Sequence, residues 1–411
     1  MTSTESRVRK VESETESGAL DRQRAKLLGD ARRVVVKIGT NVVAGTDGGF
    51  CAARLEPFTT FLAQLRTAGI QVVLVSSGAV GLGRGRLGLH RARTDDLVTR
   101  QACAAVGQAL LMHEYERLLG AREVRIAQIL LTEDDFIDRH RSSNLRHTME
   151  KLLKLGVIPI VNENDTVSTA ELEYAGRGRT RIFSDNDRLA ALVASRLDAN
   201  ALILLTNVEG LLRYPALNAE TGAKPVLIPA VAEITPELKA LASGPSSGGR
   251  GGMLTKLEAA EIATRAGAIT VIADGTKPDI LERIFRGDPV GTVFLPASRM
   301  AGKRRWIAYA ADVRGRVVVN PGARAAILEG KASLLWSGVI EVQRRFQAMD
   351  VISITDSEGH EFARGIASRG SEEGNLASGA DKVRKAATAS PKSGVKPGVL
   401  VVRDNIVVLE K

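Results

Sequence analysis

Six short apolar runs lie between Arg33 and Ala273, each followed by a turn or by polar residues. They are Arg33 to Gly39, Ile70 to Val75, Val124 to Leu131, Val157 to Val161, Ala201 to Leu205 and Ile269 to Ala273. Their brevity and β-branched content predict strands covered on both faces. Between them, Arg54 to Ala68, Thr99 to Leu119, Ser142 to Leu155, Arg188 to Leu197 and Met253 to Ala266 read as helices. In the first of these, Leu55, Phe58, Phe61, Leu62 and Leu65 share one face, and Gly69 ends it. Such alternation predicts an α/β fold, a three-layer αβα sandwich around a mostly parallel sheet.

In open α/β sheets ligands collect at the carboxyl ends of the strands. The polar residues there are therefore the first candidates for function. Val157 to Val161 runs into Asn162-Glu163-Asn164-Asp165, where a small polar substrate would be held. The alternative is a loop whose side chains cap the next backbone segment. Lys37 sits in an otherwise apolar strand, which is costly unless its ammonium reaches an anion or snorkels to solvent. Ser76-Ser77-Gly78-Ala79 opens a helix with backbone N–H groups able to receive an anion. Ser184 or Asp185 is a natural N-cap for the helix that follows, and Val167 to Arg181 reads as a mobile loop. Ser243 to Gly252 carries five glycines in ten residues and leads into a helix bearing Lys256. That pattern suits a phosphate cradle, with a flexible linker as the alternative.

One glycine motif is discounted. Gly83-Arg84-Gly85-Arg86-Leu87-Gly88 matches G-x-G-x-x-G but does not follow a strand directly, as a dinucleotide fingerprint must. No G-x-x-x-x-G-K-[ST] pattern occurs, which rules out a Walker-type site. Cys51 and Cys103 have no metal-ligand spacing and no disulfide framework, as in a reducing cytoplasm. No apolar run approaches the roughly 20 residues needed to cross a bilayer. The net charge of +10 suits phosphate-bearing partners or nucleic acid, and equally a soluble surface rich in Arg.

Residues Met1 to about Leu28 are polar and charged, predicting a disordered tail, with the α/β domain over 29–297. Lys303-Arg304-Arg305 marks a boundary. Beyond it Arg316 to Val319, Val339 to Gln343, Val351 to Thr355, Ala363 to Ala367 and Val399 to Leu409 predict short strands of a small β-barrel over 303–411. Ser368 to Lys396 lacks periodicity and is expected to be poorly ordered.

Two lysines and nearby carboxylates suit phosphoryl transfer, where positioned cations stabilise the migrating group. A carboxylate acceptor is already ionised at neutral pH and needs no general base, in keeping with the absence of histidine from these segments. V-V-K-I-G-T (35–40), V-S-S-G-A (75–79), I-V-N-E-N-D (160–165), S-D-N-D-R-L-A (184–190), L-L-T-N-V-E-G-L (204–211) and G-G-M-L-T-K (251–256) occur in this order. Together they resemble the amino acid kinase family, and the barrel from about Trp306 resembles a PUA domain.

The resemblance implies ATP-dependent phosphorylation of the glutamate γ-carboxylate to L-glutamyl 5-phosphate, the first step of proline biosynthesis, in the cytoplasm. Lys37 and Lys256 look like the phosphate-stabilising lysines, and Asp187 like the residue that orients them. Ser77, Asp165, Asn186 and Asn162 look like the glutamate site. Lys37, Thr206, Asn207 and Arg250, Gly251, Gly252, Met253, Leu254, Thr255 and Lys256 look like the nucleotide site. Mg²⁺ would be carried in with ATP and needs no dedicated protein ligand set. The family also implies a homo-oligomer, proline as feedback inhibitor in the glutamate pocket, a weak RNA contact through the PUA-like domain and no membrane association. Two departures stand out: Asn207 where Asp is frequent, and Arg250 where Thr is frequent. Gly370 to Lys396 lacks the family's helical character. Kinases for acetylglutamate, aspartate, uridylate or carbamate share the fold, and the N-E-N-D loop with the barrel favours glutamate over them. A nucleic-acid-binding protein and a catalytically dead sensor are the readings from other classes.

Overall fold

A computed structural model describes residues 22–44, 49–89, 96–132, 134–167, 186–213, 225–242, 252–297, 304, 307–308, 313–330, 332–372 and 398–409. The chain divides into two compact units, Met1–Arg299 and Met300–Lys411.

The first unit is built on an eight-stranded sheet. Its strands are β1 (Arg33–Ile38), β2 (Gln71–Ser76), β3 (Ile126–Leu131), β4 (Ile158–Glu163), β5 (Ala201–Thr206), β8 (Ala230–Val231), β9 (Ile269–Asp274) and β10 (Thr292–Phe294). The two-residue strands β6 (Leu212–Arg213) and β7 (Val226–Leu227) pair separately. The sheet order is β3-β4-β2-β1-β5-β9-β10-β8, parallel from β3 through β9. All six long strands therefore end at one edge of the sheet, with β1 near the middle.

The main helices are α1 (Ala52–Thr67), α2 (Ala79–Arg86), α3 (Leu97–Gly120), α4 (Arg139–Lys154), α5 (Asn186–Arg196), α6 (Met253–Arg265) and α7 (Ile280–Arg286). The strand period of two sorts β1 between two helical layers. Val34, Val36 and Ile38 join one core with Leu55, Phe58 and Leu62 of α1 and Leu111 and Tyr115 of α3. Val35 and Lys37 take the opposite face, the side on which α5 and α6 lie.

Two expectations are corrected. A helix covers residues 22–29, so residues 22–28, assigned by composition to the disordered tail, are ordered. Leu28 is fully buried, and Arg24 donates to the Val290 carbonyl. Ile269 to Ala273, the last of the six apolar runs and so expected to be the last strand of the sheet, is followed by another. β10 pairs antiparallel with β9, and β8 pairs with β10. Strands of three and two residues are too short to show a period, and their pairing depends on non-local contacts.

The first glycine of the discounted motif has a packing role. Gly83 lies inside α2 and crosses Gly107 of α3 so closely that a Cβ on Gly83 would sit 1.8 Å from the Cys103 carbonyl oxygen. A Cβ on Gly107 would sit 1.7 Å from that of Ala79.

The second unit contains β11 (Val313–Val319), β12 (Leu334–Leu335), β13 (Val339–Arg344), β14 (Val351–Thr355), β15 (Glu361–Ile366), β16 (Val399–Val401) and β17 (Ile406–Val408), with the helix α8 (Pro321–Leu328). A five-stranded sheet, β13-β11-β14-β15-β17, and a β12-β16 ribbon enclose a core of Val317, Ile352, Ile354, Phe362, Leu400 and Ile406. Every pairing is antiparallel except β11 with β14. No helix among the described residues is long and apolar enough to cross a membrane.

Candidate active site

Lys37, Ser76, Asn162 and Thr206 stand at or near the carboxyl ends of β1, β2, β4 and β5, and the parallel order brings them to one edge. Lys37 is 4% exposed, Lys256 6% and Asp187 fully buried. Asp187, in the first turn of α5, receives both lysines: Lys37 Nζ lies 2.7 Å from Oδ1 and Lys256 Nζ 3.1 Å from Oδ2. One carboxylate thus bridges two ammonium groups held away from water. In such surroundings charge-assisted bonds are strong, and removing one partner is far more costly than at a surface.

Asn186 precedes Asp187 and turns the other way. Its Nδ2 donates to Ser77 Oγ at 2.8 Å, Asn162 Oδ1 at 2.9 Å and the Ser76 carbonyl at 3.3 Å. Asn162 Nδ2 donates to Gln108 Oε1 at 2.9 Å. Gly78 follows Ser77 with φ of 107°, a left-handed conformation that glycine adopts without strain, and so lets the chain turn from β2 into α2. Asp165 stands half-buried on the turn after β4, and Asn164 Oδ1 accepts from Thr166 Oγ1 at 2.6 Å.

A second group lines the β5–β9 side. Thr206 is 8% exposed, its Oγ1 donates to Asn207 Oδ1 at 3.4 Å, and its carbonyl accepts from Gly275 N at 2.7 Å. Gly252 caps α6, whose first turn carries Met253, Leu254, Thr255 and Lys256, and Thr255 Oγ1 donates to the Gly252 carbonyl at 2.9 Å. Arg250, Gly251, Ser184, Asp185, most of the Gly-rich loop and most of Val167 to Arg181 lie outside the described residues. His113, His140, His147 and His360 are exposed.

Sequence reasoning missed two residues beneath the site, Gln108 and Tyr115. Both sit on the buried side of α3, where Gln108 interrupts an apolar stripe and Tyr115 passes for core. Tyr115 is fully buried, with its ring edge-on to Phe50, and its hydroxyl lies 2.8 Å from Ser76 Oγ, which in turn donates to the Ser77 carbonyl. Burial pushes the Tyr115 phenol well above its ordinary pKa, the hydrogen bond with Ser76 acting the other way. Tyr115→Phe keeps the ring and removes this bond, so a loss of about 1 kcal/mol in urea denaturation is expected.

The amino acid kinase family model matches residues 32–273, more than half of the chain. The chain belongs to the amino acid kinase family. A PUA domain model matches residues 315–385 of this amino acid kinase. It is 44% identical over 386 residues to a protein named glutamate 5-kinase from Moorella thermoacetica, covering 93% of this chain and 97% of the relative. Similar proteins of the same name occur in Gloeobacter violaceus, at 43% identity over 92% of this chain and 99% of the relative, and in Myxococcus xanthus, at 45% over 83% and 87%.

Proposed function

We propose that this kinase transfers the γ-phosphoryl group of ATP to the side-chain carboxylate of L-glutamate, giving L-glutamyl 5-phosphate and ADP, the first step of proline biosynthesis. The observation that carries this reading is the buried Lys37–Asp187–Lys256 bridge beside the Ser77–Asn186–Asn162 cluster. A glutamate carboxylate oxygen attacks the γ-phosphorus, and the bond from that phosphorus to the bridging oxygen breaks. ADP then leaves with the electron pair.

Lys37 and Lys256 are the cations that stabilise charge on the transferring group, and Asp187 holds both in place before the substrates arrive. Such preorganisation means that little reorganisation is needed in the transition state. Ser77, Asn162, Asn186 and Asp165 form the amino-acid pocket. Thr206, Asn207 and residues Arg250 to Lys256 form the nucleotide side, where the amino end of α6 favours phosphate oxygens. Mg²⁺ enters as part of the MgATP substrate.

ATP consumption with glutamate, aspartate and N-acetylglutamate, run side by side, tests the substrate. Turnover with glutamate alone is expected, and activity confined to aspartate overturns the assignment. Proline as an inhibitor in the amino-acid pocket and an RNA contact through the second unit are inferred from the family alone. Adding proline and structured RNA to the same assay tests both.

A further inference from the structure

Gln108 takes no part in the chemistry described above, yet it closes a row of three amides under the amino-acid pocket. It is 8% exposed, and its Oε1 accepts from Asn162 Nδ2. Asn162 Oδ1 accepts from Asn186 Nδ2, which also donates to the Ser76 carbonyl. Each side-chain amide has one donor end and one acceptor end. A backbone carbonyl only accepts, so Asn186 must turn its nitrogen toward Ser76. Asn162 must then turn its oxygen to Asn186 and its nitrogen to Gln108. Gln108 in turn must offer its oxygen. The Ser76 carbonyl at one end thus sets the direction of all three side chains.

Two consequences follow from that polarity. Among the described residues Gln108 Nε2 is left buried with no hydrogen-bond partner, which costs stability. Asn186 commits its nitrogen to the protein, and its oxygen enters none of these bonds.

We propose that Gln108 is a positioning residue for the amino-acid substrate. By accepting from Asn162 it holds the Asn162 oxygen against the Asn186 nitrogen, and so reinforces Ser76 and Ser77 in keeping the Asn186 carbonyl oxygen for the pocket, an acceptor suited to a free α-ammonium group. Without an acceptor at position 108, the Asn162 nitrogen is left unsatisfied and Asn162 is no longer held with its oxygen against Asn186. Asn186 then loses one of the three acceptors that orient it, and its oxygen is held less firmly for the ammonium. The inference rests on reading Ser77, Asn162 and Asn186 as the amino-acid pocket.

The test compares Gln108→Met, which keeps size and loses the carbonyl, with Gln108→Glu, which restores an oxygen acceptor. Calorimetric Kd for glutamate is measured beside KM for glutamate, KM for ATP and kcat. Gln108→Met is expected to weaken glutamate binding at least about 10-fold, with kcat and the ATP KM within about twofold of wild type. Gln108→Glu is expected to restore glutamate binding to within about threefold of wild type. The preference of the pocket for glutamate over N-acetylglutamate, measured as a competitor, should shrink in the Met variant, because the ammonium contact is the one weakened.

Equal losses in both variants, or unchanged glutamate binding in the Met variant, overturn the proposal. Should Gln108→Met fail to fold by circular dichroism, a 10-fold or greater weakening in a folded Gln108→Glu overturns it as well. Calorimetry separates this inference from the assigned reaction. Glutamate binding that responds to Gln108 in a protein without glutamate-dependent turnover sinks the reaction and leaves the positioning role intact. A wild-type protein that binds no glutamate overturns both.

Discussion

Lys37→Met and Lys256→Met are each expected to lower kcat at least roughly 10²-fold while leaving the protein folded. The reason lies in how Asp187 is shared. Each lysine contributes one ammonium to the bridge, at 2.7 Å and 3.1 Å, so removing either leaves the carboxylate paired with the other. Transition-state charge loses a preorganised cation, and a 10²-fold loss corresponds to about 2.7 kcal/mol of barrier. Asp187→Asn should behave differently. It leaves two ammonium groups buried without their shared carboxylate, and breaking a buried pair in this way costs about 3–5 kcal/mol of stability. Single-turnover kinetics and denaturant titrations of the three variants separate the cases. Near-normal turnover in both lysine variants would sink the mechanism.

Gly107→Ala is expected to destabilise the protein by at least about 2 kcal/mol, and to raise the KM for glutamate in whatever fraction stays folded. The added methyl would lie 1.7 Å from the Ala79 carbonyl oxygen, and the neighbour is backbone, so α2 itself must move. Ser77 and Gly78 lead directly into α2, so the displacement reaches the proposed amino-acid pocket. Gly81→Ala, in α2, is the control. Nothing among the described residues lies within 4 Å of the position its Cβ would take, and alanine favours a helix over glycine by about 0.5–1 kcal/mol. Thermal denaturation and glutamate KM of the two variants, measured together, check the contrast. Equal behaviour of Gly107→Ala and Gly81→Ala would remove the helix crossing as the cause.

Much of this architecture was legible in the chain. The continuous apolar runs at β1, β2, β4, β5 and β9 carry their own signal, because strands buried on both faces leave no room for polar alternation. Lys37 was visible for the same reason: a charge inside such a run demands a partner. The partner was not visible from local physics. Asp187 follows Lys37 by 150 positions and lies in a helical first turn, where an acidic residue is ordinary. Its role was suggested only by the order of six motifs.

Other features left no mark in the sequence. β8 and β10 are two and three residues long, below any periodic signal, and owe their existence to pairing with β9 and with each other. The helix at residues 22–29 is polar in composition, yet Leu28 docks it into the core. Gly83 and Gly107 sit inside helices, where glycine alone reads as a weakness, and only their crossing gives the reason.

The sequence by itself determined the layered α/β architecture, the change to short strands after Arg305 and the polar strand ends where substrates belong. Those are consequences of hydrophobic period and turn chemistry, which act over a few residues. Only the tertiary structure decided that Asp187 spans two lysines, and that Gln108, 54 positions before Asn162, completes its amide row. The physical reason is distance along the chain. Burial makes an unpaired charge or amide costly, but which distant residue satisfies it depends on how the strands are ordered in the sheet.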